Sequence, residues 1–127
     1  MVCTMLQERP EFHIIGEASD GLEAIQKSGE LQPGVILLDI GLPKLNGLEA
    51  ARRICALAPG SRILFVSENQ CSAVAEEAMR TGPCARGYLV KSDAASDLLP
   101  ALEAVAQDRR FVSARFAASI PGNFGDA

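Results

Sequence analysis

The stretch VILLDIGLPKLNG, residues 35–47, decides how the rest of the chain is read. Val35, Ile36, Leu37 and Leu38 run without a polar break, the pattern of a strand buried on both faces of a sheet. Asp39 ends the run, and Gly41, Pro43, Asn46 and Gly47 follow it. Two readings of Asp39 stand side by side. Asp is common where strands give way to loops, because its side chain hydrogen-bonds nearby backbone. Alternatively it is a working group, since open α/β sheets place their ligands outside the carboxyl ends of their strands. Asn46–Gly47 reads as a turn by its chemistry.

Outward from this stretch, apolar runs alternate with helical periods. Residues 2–8 fit a helix stopped near Pro10, and 12–18 (FHIIGEA) a short strand. Ser19 or Asp20 caps a helix that brings Leu22, Ile25, Gly29 and Leu31 near one face and ends by Pro33–Gly34. A helix from Gly47 to about Ala58 carries Leu48, Ala51, Ile54 and Cys55 at amphipathic spacing. RILFVS, 62–67, is a second buried strand, followed by a helix over about 70–81 and a break at Gly82–Pro83. RGYLVK, 86–91, is a further strand, and a last helix spans about 94–108. Pro100 falls inside that helix, where it costs about 3 kcal/mol unless the helix kinks or begins near residue 98. Strands alternating with helices over short connections are the mark of an α/β domain with a parallel sheet covered on both faces.

Composition narrows the functions. The 127 residues suffice for one domain with one core. A net charge of −4 suggests no nucleic-acid footprint, a reading that would want a basic face. No apolar run reaches the roughly 18 residues of a transmembrane helix, and the N-terminal stretch is too polar for a signal peptide. The cytoplasm is the expected location. Cys3, Cys55, Cys71 and Cys84 are scattered without a C-x-x-C pair, so separate reduced thiols are expected rather than a disulfide or a zinc site. His13 is the single histidine, which leaves no His-rich metal site. Neither G-x-S-x-G nor G-x-G-x-x-G occurs, so a hydrolase elbow and a dinucleotide fold find no support, and no enzyme activity is expected.

Parallel strands present their carboxyl ends to one sheet edge, and three here end on Asp39, Ser67 and Lys91. A carboxylate, a hydroxyl and an ammonium would then meet in one crevice. Carboxylates attack phosphorus to give aspartyl phosphates, and a lysine and a hydroxyl can hold the resulting anion. Tyr88, the only tyrosine, reads by itself as a half-buried packing residue.

VILLDIGLPKLNGLEAARRI, with GEASDGLEAI before it and RILFVS and RGYLVK after it, resembles a response-regulator receiver domain of two-component signalling. It is most similar to receivers that precede a LuxR-type helix-turn-helix. The D-x-x-x-P-x-x-x-G pattern of Asp39, Pro43 and Gly47 carries much of the likeness. The resemblance implies a flavodoxin-like, doubly wound parallel sheet of order 2-1-3-4-5. It implies that Asp39 is the phosphoacceptor and a metal ligand, with the carbonyl of Gly41 a second ligand. Ser67 would move onto the phosphoryl group, Lys91 would pair with it, and Tyr88 would rotate with Ser67. The cofactor implied is magnesium, and the partner a histidine kinase.

The chain departs from the family in ways that set further expectations. The family's first strand, ending in two acidic metal ligands, is not found; residues 1–8 resemble the second half of the family's first helix. Residues 1–113 are therefore expected to form a receiver lacking its first strand, with 114–127 a tail. The strand 12–18 should pair directly with 35–39, or a partner's segment, the tail included, should fill the gap in a homo-oligomer. Magnesium should bind weakly or not at all. Pro83–Cys84 reads as an insertion in a surface loop that deletion would barely disturb. Glu68, beside Ser67, would oppose an incoming anion. No helix-turn-helix follows, so no direct nucleic-acid binding is expected. The function implied is phosphoryl acceptance in a phosphorelay serving transcription control, impaired in this chain. The alternative is a degenerate, phosphorylation-independent interaction module.

Overall fold

The computed structural model describes residues 2–8, 12–40, 45–68 and 72–113. The elements are β1 (Val2–Glu8), β2 (Phe12–Ala18), α1 (Gly21–Leu31), β3 (Val35–Ile40), α2 (Leu45–Leu57), β4 (Arg62–Ser67), α3 (Ser72–Met79), β5 (Ala85–Val90), a single turn of 3-10 helix (Lys91–Asp93), α4 (Ala94–Ala106) and β6 (Phe111–Val112). One sheet holds six strands in the order β2-β1-β3-β4-β5-β6. β3, β4, β5 and β6 run parallel, while β1 runs antiparallel to both its neighbours. The fold is the flavodoxin-like α/β fold expected, with a mixed rather than wholly parallel sheet.

Side-chain alternation along the strands builds two apolar layers. Met5, Ile36, Leu38, Ile63, Phe65 and Tyr88 face one side, against Ala24 of α1, Ile54 of α2 and Ala78 of α3. Leu6, Val35, Leu64, Val66 and Leu89 face the other, under Ala101, Leu102 and Val105 of α4. Strands β3 and β4 are thus buried on both faces, which is why they read as unbroken apolar runs. Each fully buried large apolar side chain contributes about 1.5–3 kcal/mol of transfer free energy. At Gly87 a Cβ would stand 2.9 Å from the carbonyl of Phe111 and 3.3 Å from Val105, so only glycine lets β6 and α4 close on β5.

The strand β1 overturns the expectation of a helix over residues 2–8, and with it that of an unfilled slot. β1 occupies the place between β2 and β3, in register from Val2 opposite Asp39 to Leu6 opposite Val35. Neither direct pairing of β2 with β3 nor a partner's segment is required. The physical reason is hydrogen bonding: buried strand edges need partners, and the segment next to the slot supplies them. Against β2 the register shifts at Met5/Leu6, so that Ile15 is an extra residue in the ladder.

Other expectations also change. Leu22 is 76% exposed, and Ala24 and Ser28 are the buried residues of α1, while Gly29 is the residue that stands against Leu57 of α2. Asn46 and Gly47 lie in the first turn of α2 rather than in a turn before it. Helix α4 starts at Ala94 and runs through the exposed Pro100. Cys55 near the end of α2 and Cys84 before β5 form a disulfide, their Cα atoms 5.7 Å apart, where separate thiols were expected. Pro83 is exposed as anticipated, but Cys84 is buried in the core and its carbonyl accepts from Ile63 N, so that deleting the pair would cut into packed structure. A pairing between residues 29 apart carries no local sequence signal.

Met5 and Leu22 give opposite outcomes on truncation. Met5→Ala, removing a fully buried side chain of β1, is expected to cost about 2–5 kcal/mol in urea unfolding. Leu22→Ala is expected to stay within about 0.5 kcal/mol of the natural chain. A neutral Met5→Ala would mean that residues 2–8 do not form a core strand.

Candidate functional site

The parallel ladder of β3, β4 and β5 fixes which residues meet at its carboxyl edge. Asp39 lies opposite Val66, and Ser67 lies between Ile40 and Val90. Lys91 follows β5 directly and opens the 3-10 turn. The sheet therefore brings Asp39, Ser67 and Lys91 to one edge, as the strand ends implied. Lys91 Nζ stands 3.2 Å from Asp39 Oδ2 and 3.9 Å from Glu68 Oε2. Asp39 and Lys91 are partly exposed and Glu68 largely so, and such pairs contribute roughly 0.2–1 kcal/mol. The pair's significance is positional: one ammonium faces two carboxylates.

The other oxygen of Asp39 is the unusual one. Asp39 Oδ1 is buried and has no hydrogen-bond partner among the described residues. A buried carboxylate oxygen held without a donor is an acceptor awaiting one. Ser67 is fully buried at the end of β4. Tyr88 is also fully buried, its ring 6.5 Å from that of Phe65 in a tilted arrangement, so it is a core residue rather than a half-exposed one. Gly41, Pro43 and their neighbours lie outside the described residues.

The described residues at this edge offer magnesium few oxygen ligands. A hard cation wants several oxygen ligands, carboxylates above all. No group of three His, Cys, Asp or Glu side chains suited to a metal occurs among the described residues. Because β1 is antiparallel, it brings Val2, not a carboxylate, opposite Asp39. Two further acidic residues near this edge are committed elsewhere. Asp20 caps α1 by accepting from Glu23 N at 2.8 Å, and Glu23 reaches back to Ser19 N at 3.0 Å, a capping box that sequence reasoning found only in part. Glu23 also pairs with Lys27 at 3.3 Å.

Comparison with known proteins places the chain. The family model described as "Response regulator receiver domain" matches residues 1–103. The transcriptional regulatory protein DegU of Brevibacillus brevis is 33% identical over 108 residues, covering 85% of this chain and 45% of DegU. The chemotaxis protein CheY of Listeria monocytogenes is 34% identical over 97 residues, 76% of this chain and 80% of that protein. A LuxR-family two-component response regulator from Aurantimonas sp. SI85-9A1 superposes with a TM-score of 0.78 at 35% identity, over 89% of this chain and 79% of that one. The chain thus spans less than half the length of DegU but most of CheY.

The capping box carries a pH signature. The backbone N–H of Ser19, and then the Lys27 ammonium, hold the Glu23 carboxyl below its ordinary value of 4.5. A depressed carboxylate stabilises the fold fully above its ordinary value, and the contribution is lost as pH falls through the depressed one. The Glu23 carboxyl carbon should therefore titrate below 4.5 by NMR, and Lys27→Met should move the midpoint upward. A midpoint at or above 4.5 would mean that the box does not form.

Proposed function

The chain belongs to the response-regulator receiver family, and from that premise we propose that it takes a phosphoryl group from a histidine kinase onto Asp39, slowly. Receivers of this family generally accept phosphoryl groups and bind magnesium at an acidic pocket. The observation that carries the proposal here is the Asp39–Lys91 pair, with Asp39 Oδ1 buried and unpartnered beside it. An Asp39 oxygen attacks phosphorus, the bond from phosphorus to the donor histidine nitrogen breaks, and an acyl phosphate forms. Lys91 shifts from the carboxylate to the new phosphoryl oxygens, where it offsets charge. Ser67 donates its hydroxyl to the same group, and Tyr88, on the neighbouring strand, moves with it. Gly41 would offer its carbonyl to a cation alongside Asp39.

Transfer is slow because the charge is poorly balanced. A phosphoryl group brings roughly −1.5 to −2 charges. Lys91 is the cation paired with Asp39 among the described residues, and Glu68 also draws on it from 3.9 Å. Magnesium is held weakly, since the described residues offer it no cluster of three carboxylates. The same observation favours a second reading, in which the fold serves as a phosphorylation-independent interaction module. Under either reading the chain works in the cytoplasm and contacts proteins rather than nucleic acid, in keeping with a net charge of −4. Among the described residues no helix is long and apolar enough to cross a membrane. Self-association rests on β2, an edge strand with Ile14 61% and Ile15 36% exposed.

Intact mass after incubation with acetyl phosphate and magnesium tests the transfer. The natural chain should gain one phosphoryl group in only a minor fraction of molecules, Glu68→Gln should gain more, and Asp39→Asn none. Rapid stoichiometric labelling of the natural chain would overturn the impairment. Labelling of neither the natural chain nor Glu68→Gln would leave the interaction-module reading standing.

Light scattering at micromolar concentration tests self-association. A concentration-dependent dimer, weakened by Ile14→Lys, is the expected result. A monomer at all concentrations would exclude the edge-strand contact.

A further inference from the structure

The disulfide lies at the end of the sheet opposite Asp39, and its surroundings form a site. Cys55 is half-buried and Cys84 buried. Gly82 is the residue that makes room: a Cβ there would stand 2.9 Å from Cys55 Sγ and 3.3 Å from its Cβ. The Cα separation of 5.7 Å matches what a disulfide requires. Both sulfur-bearing residues line a cleft of about 250 Å³, together with Pro83, Arg62, Arg86 and Asp108. The two guanidinium groups share one carboxylate oxygen, each at 3.2 Å from Asp108 Oδ1. Arg86 Nε lies at that distance without the alignment of a hydrogen bond and is otherwise unpartnered. Two cations against one anion leave the cleft net positive. A positive setting favours thiolate over thiol, and thiolate is the form that attacks a disulfide.

We propose that Cys55 and Cys84 form a reversible thiol–disulfide exchange site, opened through this cleft by a small thiol or dithiol. In reduction, a thiolate of the reductant attacks one sulfur, the Cys55–Cys84 bond breaks, and a mixed disulfide forms. A second thiol resolves it, leaving two protein thiols and one oxidised reductant. Oxidation runs the same exchange backwards with an external disulfide. Disulfides of reducing compartments are mostly of this transient, redox-sensing kind.

The connectivity gives the site a consequence. Helix α2 begins five residues after the end of β3, and β5 runs from the residue after Cys84 to the residue before Lys91. Asp39 and Lys91 are thus joined twice, directly by their ion pair and around the long way through α2, the disulfide and β5. Breaking the covalent link frees the amino end of β5 and the turn at Gly82–Pro83 from α2. The exchange site reports on the strand that carries Tyr88 and leads to Lys91, whether or not Asp39 is ever phosphorylated.

The natural chain is equilibrated in graded mixtures of reduced and oxidised dithiothreitol, quenched with acid, alkylated, digested and mapped by mass spectrometry. The Cys55–Cys84 cross-linked peptide should rise and fall reversibly across the series without denaturant. Free alkylation of both cysteines at the oxidising end would overturn the proposal, as would a cross-link that survives the reducing end. Hydrogen exchange at residues 80–90 should be about tenfold faster in the reduced chain, as local opening becomes easier. Equal exchange in the two states would overturn the coupling to β5. Cys84→Ser should exchange like the reduced chain in every mixture; if it does not fold, the two measurements on the natural chain decide alone.

Discussion

The structure depends on satisfying both edges of β3. This strand is buried on both faces, so water cannot serve its backbone, and each buried group left unpaired costs about 1–3 kcal/mol. On one side β4 pairs with it in parallel, from Val35 opposite Arg62 to Ile40 opposite Ser67. On the other, β1 pairs antiparallel with five of its residues. The hydrophobic effect has no direction and would accept many arrangements of these segments. Hydrogen bonding does have direction, and it fixes both the site's alignment and the identity of the strand that fills the slot.

That division explains what could be read from the residues alone. The apolar runs at 35–38 and 62–66 announce central strands, and central parallel strands align their ends. Asp39, Ser67 and Lys91 could therefore be placed together before any coordinates. The segment VCTMLQE could not be placed in the same way. Its apolar residues suit either period over so short a length, and what makes it a strand is a vacancy created elsewhere in the fold. Leu22 misled for a related reason. Hydrophobicity pointed it inward, but the residues of α1 that are buried are the small Ala24 and Ser28. The Cys55–Cys84 contact is tertiary throughout, and separate thiols were the sound expectation without it.

Electrostatics and topology meet at the carboxyl edge. A parallel first strand would direct its last residues toward Asp39; the antiparallel β1 turns its last residues to the far edge. Among the described residues, the charges set against Asp39 are those of Lys91 and Glu68, which oppose each other in sign. Asp20 and Glu23 spend their oxygens on the start of α1 instead. The fold is of the receiver kind, and among the described residues Lys91 and Glu68 are the charged side chains set against Asp39.

The reversed β1 has a further consequence for anything fused to the domain. β1 starts at Val2, beside Asp39, and β6 ends at the same edge, where Ser113 Oγ accepts from Val90 N at 3.1 Å. Both ends of the described fold thus emerge over the crevice rather than at opposite poles. Modules tethered there by short flexible linkers would meet each other, and the crevice between them, at an effective concentration in the millimolar range. The domain behaves topologically as a handle with both attachment points on the edge that carries Asp39.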